Sequence, residues 1–452
     1  MFAGLLGSMN IATTPNPPCK RDLVLLVFVL AVAMGGAAAL SEIEQPRADA
    51  LRYLEYASNL HWHGVFGLNA NVDKAPSPGR ENTPLYPTFL AAVFAIADPR
   101  QGELECLLDR DRMDCDLRLV ERVIAVQYAI ASLTLAGIWL LGWHTAGRRG
   151  AWIALAAAVA SGQATEFARF LQTENFSLLF FVWFLYAALR SIQGGAGWGA
   201  LSGASLGGLI LARPEFLYLV YFLVVALGLW LWRTPGSRER SVTIACGIAM
   251  MAAVGVPWIV RNAHTFGDPA LTETYGGRII AQRVQYNRMS PEEIAVSFIY
   301  WLPDFGDSVS ERLFSPRLFE RLDFGPGSYY KDGNDYYQAL LARQGGKDGI
   351  TVTIIAEEVL AKPFKHAAVT AALAWRALFV GKLWGLVALV VFIAALVTQG
   401  RQRRMLWLLG VPGLFMVFLY AAVSVSIPRY AICMLPAYSV AFALLFTRRT
   451  PQ

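Results

Sequence analysis

The stretch DLVLLVFVLAVAMGGAAAL, residues 22–40, decides the class of this protein. It carries a single charged residue, at its first position, and as a helix it approaches the length of about 20 residues that crosses the hydrocarbon of a bilayer. Only 16% of the 452 residues are charged, against about 25% in an average soluble domain. Comparable apolar runs recur at 122–143, 150–167, 175–189, 199–212, 215–232, 241–260, 383–399, 405–426 and 430–446. We therefore expect an all-α polytopic membrane protein with about ten transmembrane helices.

The positions of Lys and Arg predict the orientation of these helices. Lys and Arg are enriched in short cytoplasmic loops, and a cytoplasmic N-terminus puts most of the loop arginines inside. The short outer turns then contain only Arg169, Arg213 and Arg429. The same orientation places two long loops, 41–121 and 261–382, outside the cytosol.

We expect three regions along the chain. They are an N-terminal membrane module with the first outer loop (1–260), the second outer loop (261–382) and C-terminal transmembrane helices (383–452). The first 40 residues could alternatively be a cleaved signal peptide, because small residues follow the apolar run.

The segment PRADALRYLEYASNL, residues 46–60, has the pattern of an amphipathic helix directly after the first apolar run. Tyr53 and Tyr56 recur on one predicted face, and Asn59 falls on the opposite one. Such a helix can lie in the plane of the membrane interface. The apolar segment 84–97 is too short to span and is predicted to be a re-entrant or surface helix. Both outer loops are therefore expected to carry interfacial helices.

The second outer loop is interpreted from its composition. It contains the segment PEEIAVSFIYWLPDFG (291–306) and a Gly-, Tyr- and Asp-rich segment, 324–341. Flat amphipathic rings suit sugar binding, although a loop packed on the bundle is the alternative. We expect 324–341 to be a mobile loop that covers the active site. Two helices, 350–361 and 363–380, should lead back to the membrane.

Several short motifs follow one another along the predicted outer side. They are DALRYLEYASNL (49–60), RENTPLYPTFLA (80–91), LQTENF (171–176), LARPE (211–215), PWIVRNAHTFG (257–267) and IPRYAICMLP (427–436). Their order resembles that of the GT-C glycosyltransferases, the polyprenyl-phosphate-sugar-dependent enzymes related to protein O-mannosyltransferases and lipid A aminoarabinose transferases. The resemblance extends over roughly residues 22–446.

The resemblance implies that Asp49 is the catalytic residue, because the acidic residue of the first outer loop has that role in the family. The chemistry agrees with this assignment. A lipid phosphate is already a good leaving group, whereas a hydroxyl is a poor nucleophile, so a base is needed on the acceptor side and positive charge on the phosphate side. A single inverting displacement uses one base and no covalent intermediate. Glu44 and Glu55 are alternative bases, and local features alone are typical of Asp49 as a helix N-cap.

Three arginines at outer membrane edges are candidates for contact with the donor phosphate. They are Arg213, Arg261 and Arg429, and Arg binds phosphate oxygens with paired N–H groups. Arg261 and Arg429 are preferred, because Arg213 could instead pair with Glu215. Interfacial snorkelling is the alternative for each. The candidates for substrate contact lie in or beside the same motifs and are Glu174, Tyr53, His61, Tyr86 and His264.

The spacing of cysteine and histidine residues says less about the function than the motifs above. Cys106 and Cys115 lie in the first outer loop, where an oxidising compartment would allow a disulfide. The pair His61 and His63 has no third ligand nearby, so we predict no metal site. The resemblance nevertheless leaves a divalent cation open as a cofactor, since some members of the wider class use one.

We expect a membrane glycosyltransferase that moves a hexose or pentose from a polyprenyl-phosphate donor to a hydroxyl of a glycan, lipid or protein. The alternatives are a non-catalytic lipid or glycan transporter or flippase, and a ligase or polymerase of polyprenyl-pyrophosphate-linked glycans. Transporters usually place ionisable groups near mid-membrane, whereas here the polar groups collect at one face. The short loops favour a bacterial inner membrane, with the active site facing the periplasm or the cell exterior. No basic stripe suggests a nucleic-acid partner.

Overall fold

The computed structural model describes residues 17–68, 75–109, 112, 114–192, 194–233, 237–273, 276–347 and 349–447. This part of the chain is mostly helical, which confirms the predicted all-α class. It divides into two compact units. The first unit ends at Glu273 and also includes Phe446 and Thr447, and the second unit ends at Leu445. The predicted boundary at residue 260 falls inside a helix of the first unit.

The first unit, as described, contains ten helices and one short antiparallel strand pair. The helices are α1 (Lys20–Leu40), α2 (Asp49–His63), α3 (Leu85–Ala97), α4 (Gln101–Leu108), α5 (Arg118–Ala160), α6 (Gln163–Arg169), α7 (Glu174–Ser191), α8 (Ala196–Ala212), α9 (Phe216–Arg233) and α10 (Arg238–Phe266). The strands are β1 (Gly67–Leu68) and β2 (Ser77–Pro78), which pair Gly67 with Pro78 and Leu68 with Ser77.

The second unit contains nine helices in its described residues. They are α11 (Gly276–Gln285), α12 (Pro291–Tyr300), α13 (Gly306–Leu313), α14 (Tyr329–Gln344), α15 (Ile350–Ile354), α16 (Pro363–Ala377), α17 (Leu383–Thr398), α18 (Arg403–Val423) and α19 (Leu435–Phe446). Helix α15 continues as a π-helix, Ile355–Leu360. Short 3-10 turns lie at Tyr286–Arg288, Pro316–Leu318, Gly400–Gln402 and Pro428–Met434.

Six described helical segments are long and apolar enough to cross a membrane, and this agrees with a polytopic protein. They are α1, α5, α9, α10, α18 and the segment Pro428–Phe446. Helices α3, α8 and α17 are shorter and also apolar. Helix α5 contains both the predicted run 122–143 and most of the run 150–167, with a break at Gly147, where φ is 73°. The second of these runs ends as a helix at Ala160 rather than at residue 167, and α6 is a separate element.

Glycines bring α8 and α10 into direct backbone contact. A Cβ atom at Gly199 would overlap the carbonyl of Thr243, and one at Gly203 would overlap the carbonyl of Gly247. Small residues at four-residue spacing allow this approach between membrane helices. The contact lies in the N-terminal half of α8, and Arg213 directly follows the other end of the helix.

Helix α2 packs on α3 and buries its middle. Tyr56 is fully buried and stacks on Phe66 at 4.4 Å between ring centroids. Asn59 is also buried, although the sequence pattern placed it on the polar face. The physical reason is the strand pair that follows α2, since the Asn59 amide donates a hydrogen bond of 2.8 Å to the carbonyl of Gly67.

The tyrosine-rich segment of the second unit is helical from residue 329 onward, so the prediction of a loop is wrong there, and its mobility stays a prediction. The Ser328 side chain accepts a hydrogen bond from the Lys331 backbone N–H and caps α14. Tyr329 and Tyr337 are buried, and Tyr337 packs in an apolar cluster with Ile280 and other side chains of α11 and α15. Burial of these rings outweighs the loop-forming composition of the segment.

The predicted disulfide between Cys106 and Cys115 is present. It joins α4 to the segment that leads into α5, and its two cysteines are nine positions apart in the sequence. Cys19, Cys246 and Cys433 take no part in a disulfide among the described residues.

Candidate active site

Asp49 begins α2, and its side chain is exposed. It is not the N-cap, because Ala48 holds that position with φ 52° and ψ −118° and makes no side-chain capping bond. A non-glycine residue in such a region costs about 1–3 kcal/mol. The sharp turn at Ala48 starts the helix with a carboxylate in its first turn, where the helix dipole favours negative charge. The position therefore leaves the carboxylate open to solvent.

Tyr53 lies one helical turn after Asp49 and links it electrostatically to a buried cluster. Burial, together with the carboxylates of Glu174 and Asp49, raises the pKa of the Tyr53 phenol to about 12, against the opposing effect of the Arg213 guanidinium. The Tyr53 ring packs edge-on against Tyr86, with 5.1 Å between centroids. At neutral pH the phenol therefore keeps its proton and can act as a hydrogen-bond donor.

Glu174 and Arg213 form a largely buried ion pair. Arg213 Nη1 lies 3.1 Å from Glu174 Oε1, and the two side chains are 14% and 6% exposed. The Arg213 Nη2 atom lies 3.8 Å from Glu215 Oε1. Glu174 is the first residue of α7 and Arg213 directly follows α8, so two of the sequence motifs meet here. The pairing with Glu215 that was raised as an alternative for Arg213 is present beside the pairing with Glu174, and phosphate contact by Arg213 stays a prediction.

Tyr86 lies beneath this cluster and is fully buried. Its hydroxyl donates to Gln127 Oε1 at 2.9 Å, and the Gln127 amide donates in turn to the carbonyls of Ala168 and Phe170. The Asn175 side chain donates to the Gln127 carbonyl at 2.9 Å. Tyr86 thus supports the Tyr53 ring through packing and is not open to a substrate. The sequence analysis missed Gln127, although an amide inside an apolar run is a signal that such a residue has a buried partner.

Arg261 ties the end of α10 to the first outer loop. Its guanidinium donates to the carbonyls of Gly79 at 2.8 Å and Phe66 at 3.0 Å, and it lies 4.8 Å from the centroid of the Trp258 ring. It also donates to the Asn262 side chain at 2.9 Å. These contacts give Arg261 a structural role, and its predicted contact with the donor phosphate is untested.

Arg80 adds a second connection between the same two regions. Its Nη1 atom lies 2.7 Å from Asp268 Oδ2 and 3.2 Å from the Asp268 carbonyl oxygen. A backbone N–H of Ala270 and the Arg80 guanidinium lower the pKa of the Asp268 carboxyl. The first outer loop is therefore held in place beside the end of α10.

The remaining predicted site residues, His61, His264 and Arg429, make other contacts in the structure. His61 is half-buried, 6.3 Å from the Phe94 ring, whereas His264 is exposed in the last turn of α10. Arg429 belongs to the second unit, where it lies over the Tyr430 ring at 5.3 Å. Among the described residues, no group of three or more His, Cys, Asp or Glu side chains is arranged to hold a metal ion.

Comparison with known proteins was made by family model, by sequence and by structure. No protein-family model matches this chain, and no curated protein matches it. Among solved structures, the chain is similar to ArnT from Cupriavidus metallidurans bound to undecaprenyl phosphate, with 16% identity and a TM-score of 0.41 over 95% of this chain and 78% of that chain.

It is also similar to the archaeal oligosaccharyltransferase AglB from Archaeoglobus fulgidus in complex with an inhibitory peptide and a dolichol-phosphate. That match has 12% identity and a TM-score of 0.48 and covers 94% of this chain and 50% of that chain. Because these values are low, we base the proposed function on this chain's own residues.

Proposed function

We propose that this protein is an integral-membrane glycosyltransferase of the GT-C type, which moves one sugar from a polyprenyl phosphate to an acceptor hydroxyl. The observation that carries the proposal is the exposed carboxylate of Asp49, placed one turn before Tyr53 and coupled through it to the buried Glu174–Arg213 pair. This arrangement leaves a carboxylate in contact with solvent, beside a buried ion pair.

Asp49 acts as the general base in this mechanism. The acceptor oxygen attacks the anomeric carbon while its proton passes to the Asp49 carboxylate, and the bond between that carbon and the phosphate oxygen breaks. Polyprenyl phosphate leaves, and the anomeric configuration inverts.

Tyr53 and the ion pair position the reacting groups. The raised pKa of Tyr53 keeps its hydroxyl protonated, so it can donate a hydrogen bond to an oxygen of the acceptor or the sugar. Glu174 and Arg213 stabilise the packing around this phenol. Their ion pair is largely buried, and a low local dielectric constant strengthens it. The donor phosphate needs cationic contacts, for which Arg261 and Arg429 remain our candidates.

Mass spectrometry of lipids and glycans can test this function in cells that lack the protein. We expect one sugar to be missing from a surface glycan, lipid or protein, and a polyprenyl-phosphate sugar to accumulate. Expression of the wild-type chain should restore the sugar. An unchanged glycan profile together with an unchanged pool of lipid carrier would refute the proposal.

A flippase and a glycosyltransferase would give different products when the purified protein is assayed. The protein in proteoliposomes would move the sugar-carrying lipid across the bilayer without forming a glycosylated acceptor. Product formation in detergent micelles, where there is no second leaflet, can come only from a transferase. This measurement therefore separates the proposed enzyme from the transporter alternative.

A further inference from the structure

One buried amide inside α5 connects three other parts of the first unit. Gln127 is fully buried. Its side-chain oxygen accepts a hydrogen bond of 2.9 Å from the Tyr86 hydroxyl of α3, and its side-chain nitrogen donates to the carbonyls of Ala168 at 2.8 Å and Phe170 at 3.0 Å. Its backbone carbonyl accepts a hydrogen bond of 2.9 Å from the Asn175 side chain of α7. Gln127 therefore joins α3, the end of α6 and the start of α7 to α5.

These contacts fix the direction in which the Gln127 amide points. Its nitrogen donates to two backbone carbonyls, so the amide oxygen must face the Tyr86 hydroxyl. The reverse orientation would place the amide oxygen against both carbonyl oxygens and leave them without a donor. A leucine or an ionised glutamate at this position offers no donor at all. The connection therefore depends on the hydrogen-bonding groups of glutamine and not on its volume alone.

The elements that Gln127 joins are also those that surround Tyr53. The Tyr86 ring packs edge-on against the Tyr53 ring, with 5.1 Å between centroids. The side chain of Thr173, in the turn after α6, forms a hydrogen bond with the Tyr53 phenol that acts against the rise of its pKa. Glu174 follows directly as the first residue of α7, and its carboxylate acts on the same phenol. The ring and the hydroxyl of Tyr53 thus both contact segments that Gln127 holds in place.

We propose that Gln127 is a positioning residue for sugar transfer, which fixes the place of Tyr53 beside Asp49 without touching the substrate. This inference rests on the function proposed above, because it gives Gln127 a part in that reaction. A misplacement of about 1 Å can cost about 10²-fold in rate, even when the substitution lies far from the chemistry. Loss of the Gln127 side-chain contacts would release both the Tyr86 ring and the turn after α6.

Steady-state kinetics of Gln127→Leu test this role in the purified full-length chain. Leucine has a similar volume, and the contact between the backbone carbonyl and Asn175 does not depend on the side chain. We expect kcat to fall about 10- to 100-fold, while KM for the donor lipid changes less than about twofold because other residues bind the donor in the proposed mechanism. Thr134→Val is the matched control, because Thr134 is buried in the same helix and donates within it to the Ile130 carbonyl. This control should keep the wild-type kcat.

Tyr86→Phe provides a milder variant that leaves the two donor bonds of Gln127 intact. It keeps the aromatic ring and removes only the hydroxyl of the 2.9 Å hydrogen bond. We expect a smaller loss in kcat than in Gln127→Leu. The double variant should lose no more than Gln127→Leu alone, because both substitutions interrupt the same contact. Losses that multiply in the double variant would overturn the inference.

A signal from Tyr53 itself separates positioning from a general loss of packing. 3-Fluorotyrosine placed at position 53 alone gives one ¹⁹F NMR resonance in detergent micelles, and its chemical shift reports the surroundings of the ring. The resonance should shift or split in Gln127→Leu and keep the wild-type value in Thr134→Val. An unchanged resonance, or a wild-type kcat, in Gln127→Leu would overturn the inference. Absence of turnover by the wild-type chain would instead refute the proposed function.

Discussion

The Glu174–Arg213 ion pair allows its coupling free energy to be predicted from the structure. Two unit charges 3.1 Å apart attract by about 5 kcal/mol at an effective dielectric constant of about 20. Desolvation of both groups offsets part of this attraction, and Glu215 at 3.8 Å retains some compensation for Arg213. We therefore expect a coupling free energy of about 1–3 kcal/mol between Glu174 and Arg213.

A double-mutant cycle measures this coupling. The variants are Glu174→Gln, Arg213→Gln and the combination, and the free energy of unfolding is obtained by SDS titration in mixed micelles. Each single variant leaves a buried charge without its closest partner and should lose up to about 3–5 kcal/mol. The combination should lose clearly less than the sum, because no uncompensated charge of the pair then remains.

An exposed ion pair of similar length provides the matched control. Arg343 and Glu357 lie 3.4 Å apart, but their side chains are 59% and 51% exposed. Solvent screening should reduce their coupling to about 0–1 kcal/mol. Additivity of the Glu174 and Arg213 substitutions to within about 0.5 kcal/mol would refute the view that this pair is a buried support of Tyr53.

Three further predictions concern the first outer loop. Replacing both Cys106 and Cys115 by serine should destabilise the chain by about 2–3 kcal/mol, as measured by thermal unfolding, because the disulfide closes a short loop. Ala48→Gly should raise the stability by about 1 kcal/mol, because glycine adopts φ 52° without the strain of a Cβ atom. Gly79→Ala should destabilise by about 1–3 kcal/mol, since its Cβ would lie 2.6 Å from the buried hydroxyl of Tyr56.

Each of these three has a control. A reducing agent should lower the melting temperature of the wild type but not that of the double serine variant, and equal shifts would contradict the first prediction. A loss of stability in Ala48→Gly would show that its backbone is not strained. Gly102→Ala serves as the control for Gly79→Ala, because a Cβ at Gly102 meets no atom within 4 Å. Equal effects of these two alanines would contradict the steric explanation.

The features that the sequence predicts well are those set by local pattern. The apolar runs become helices, an amphipathic helix follows the first of them, and Cys106 and Cys115 form a disulfide. The segment 84–97 forms a short helix, as its length indicates. In each case the property depends on neighbouring residues, so that a single sequence contains enough information to predict it.

The features that the sequence does not predict depend on distant partners. Asn59 is polar and lies on the predicted polar face, but the carbonyl of Gly67 gives it a buried partner. The Tyr86–Gln127 hydrogen bond joins positions 41 residues apart. The composition of 329–344 suggests a loop, yet burial of Tyr329 and Tyr337 stabilises a helix. The ion pair of Glu174 with Arg213 joins positions 39 residues apart, and the packing of α7 on α8 brings the two together.

The most direct measurement is the rate of sugar transfer by Asp49→Asn, with the donor lipid that accumulates in cells lacking the protein. Asparagine has nearly the same shape and cannot accept the proton, so we predict a loss of about 10²–10⁴-fold in turnover with unchanged folding. Glu44→Gln and Glu55→Gln test the alternative bases, and Glu42→Gln is the control for an exposed carboxylate on the same segment. Wild-type turnover by Asp49→Asn, or a comparable loss in Glu44→Gln or Glu55→Gln alone, would contradict the assignment of Asp49 as the base.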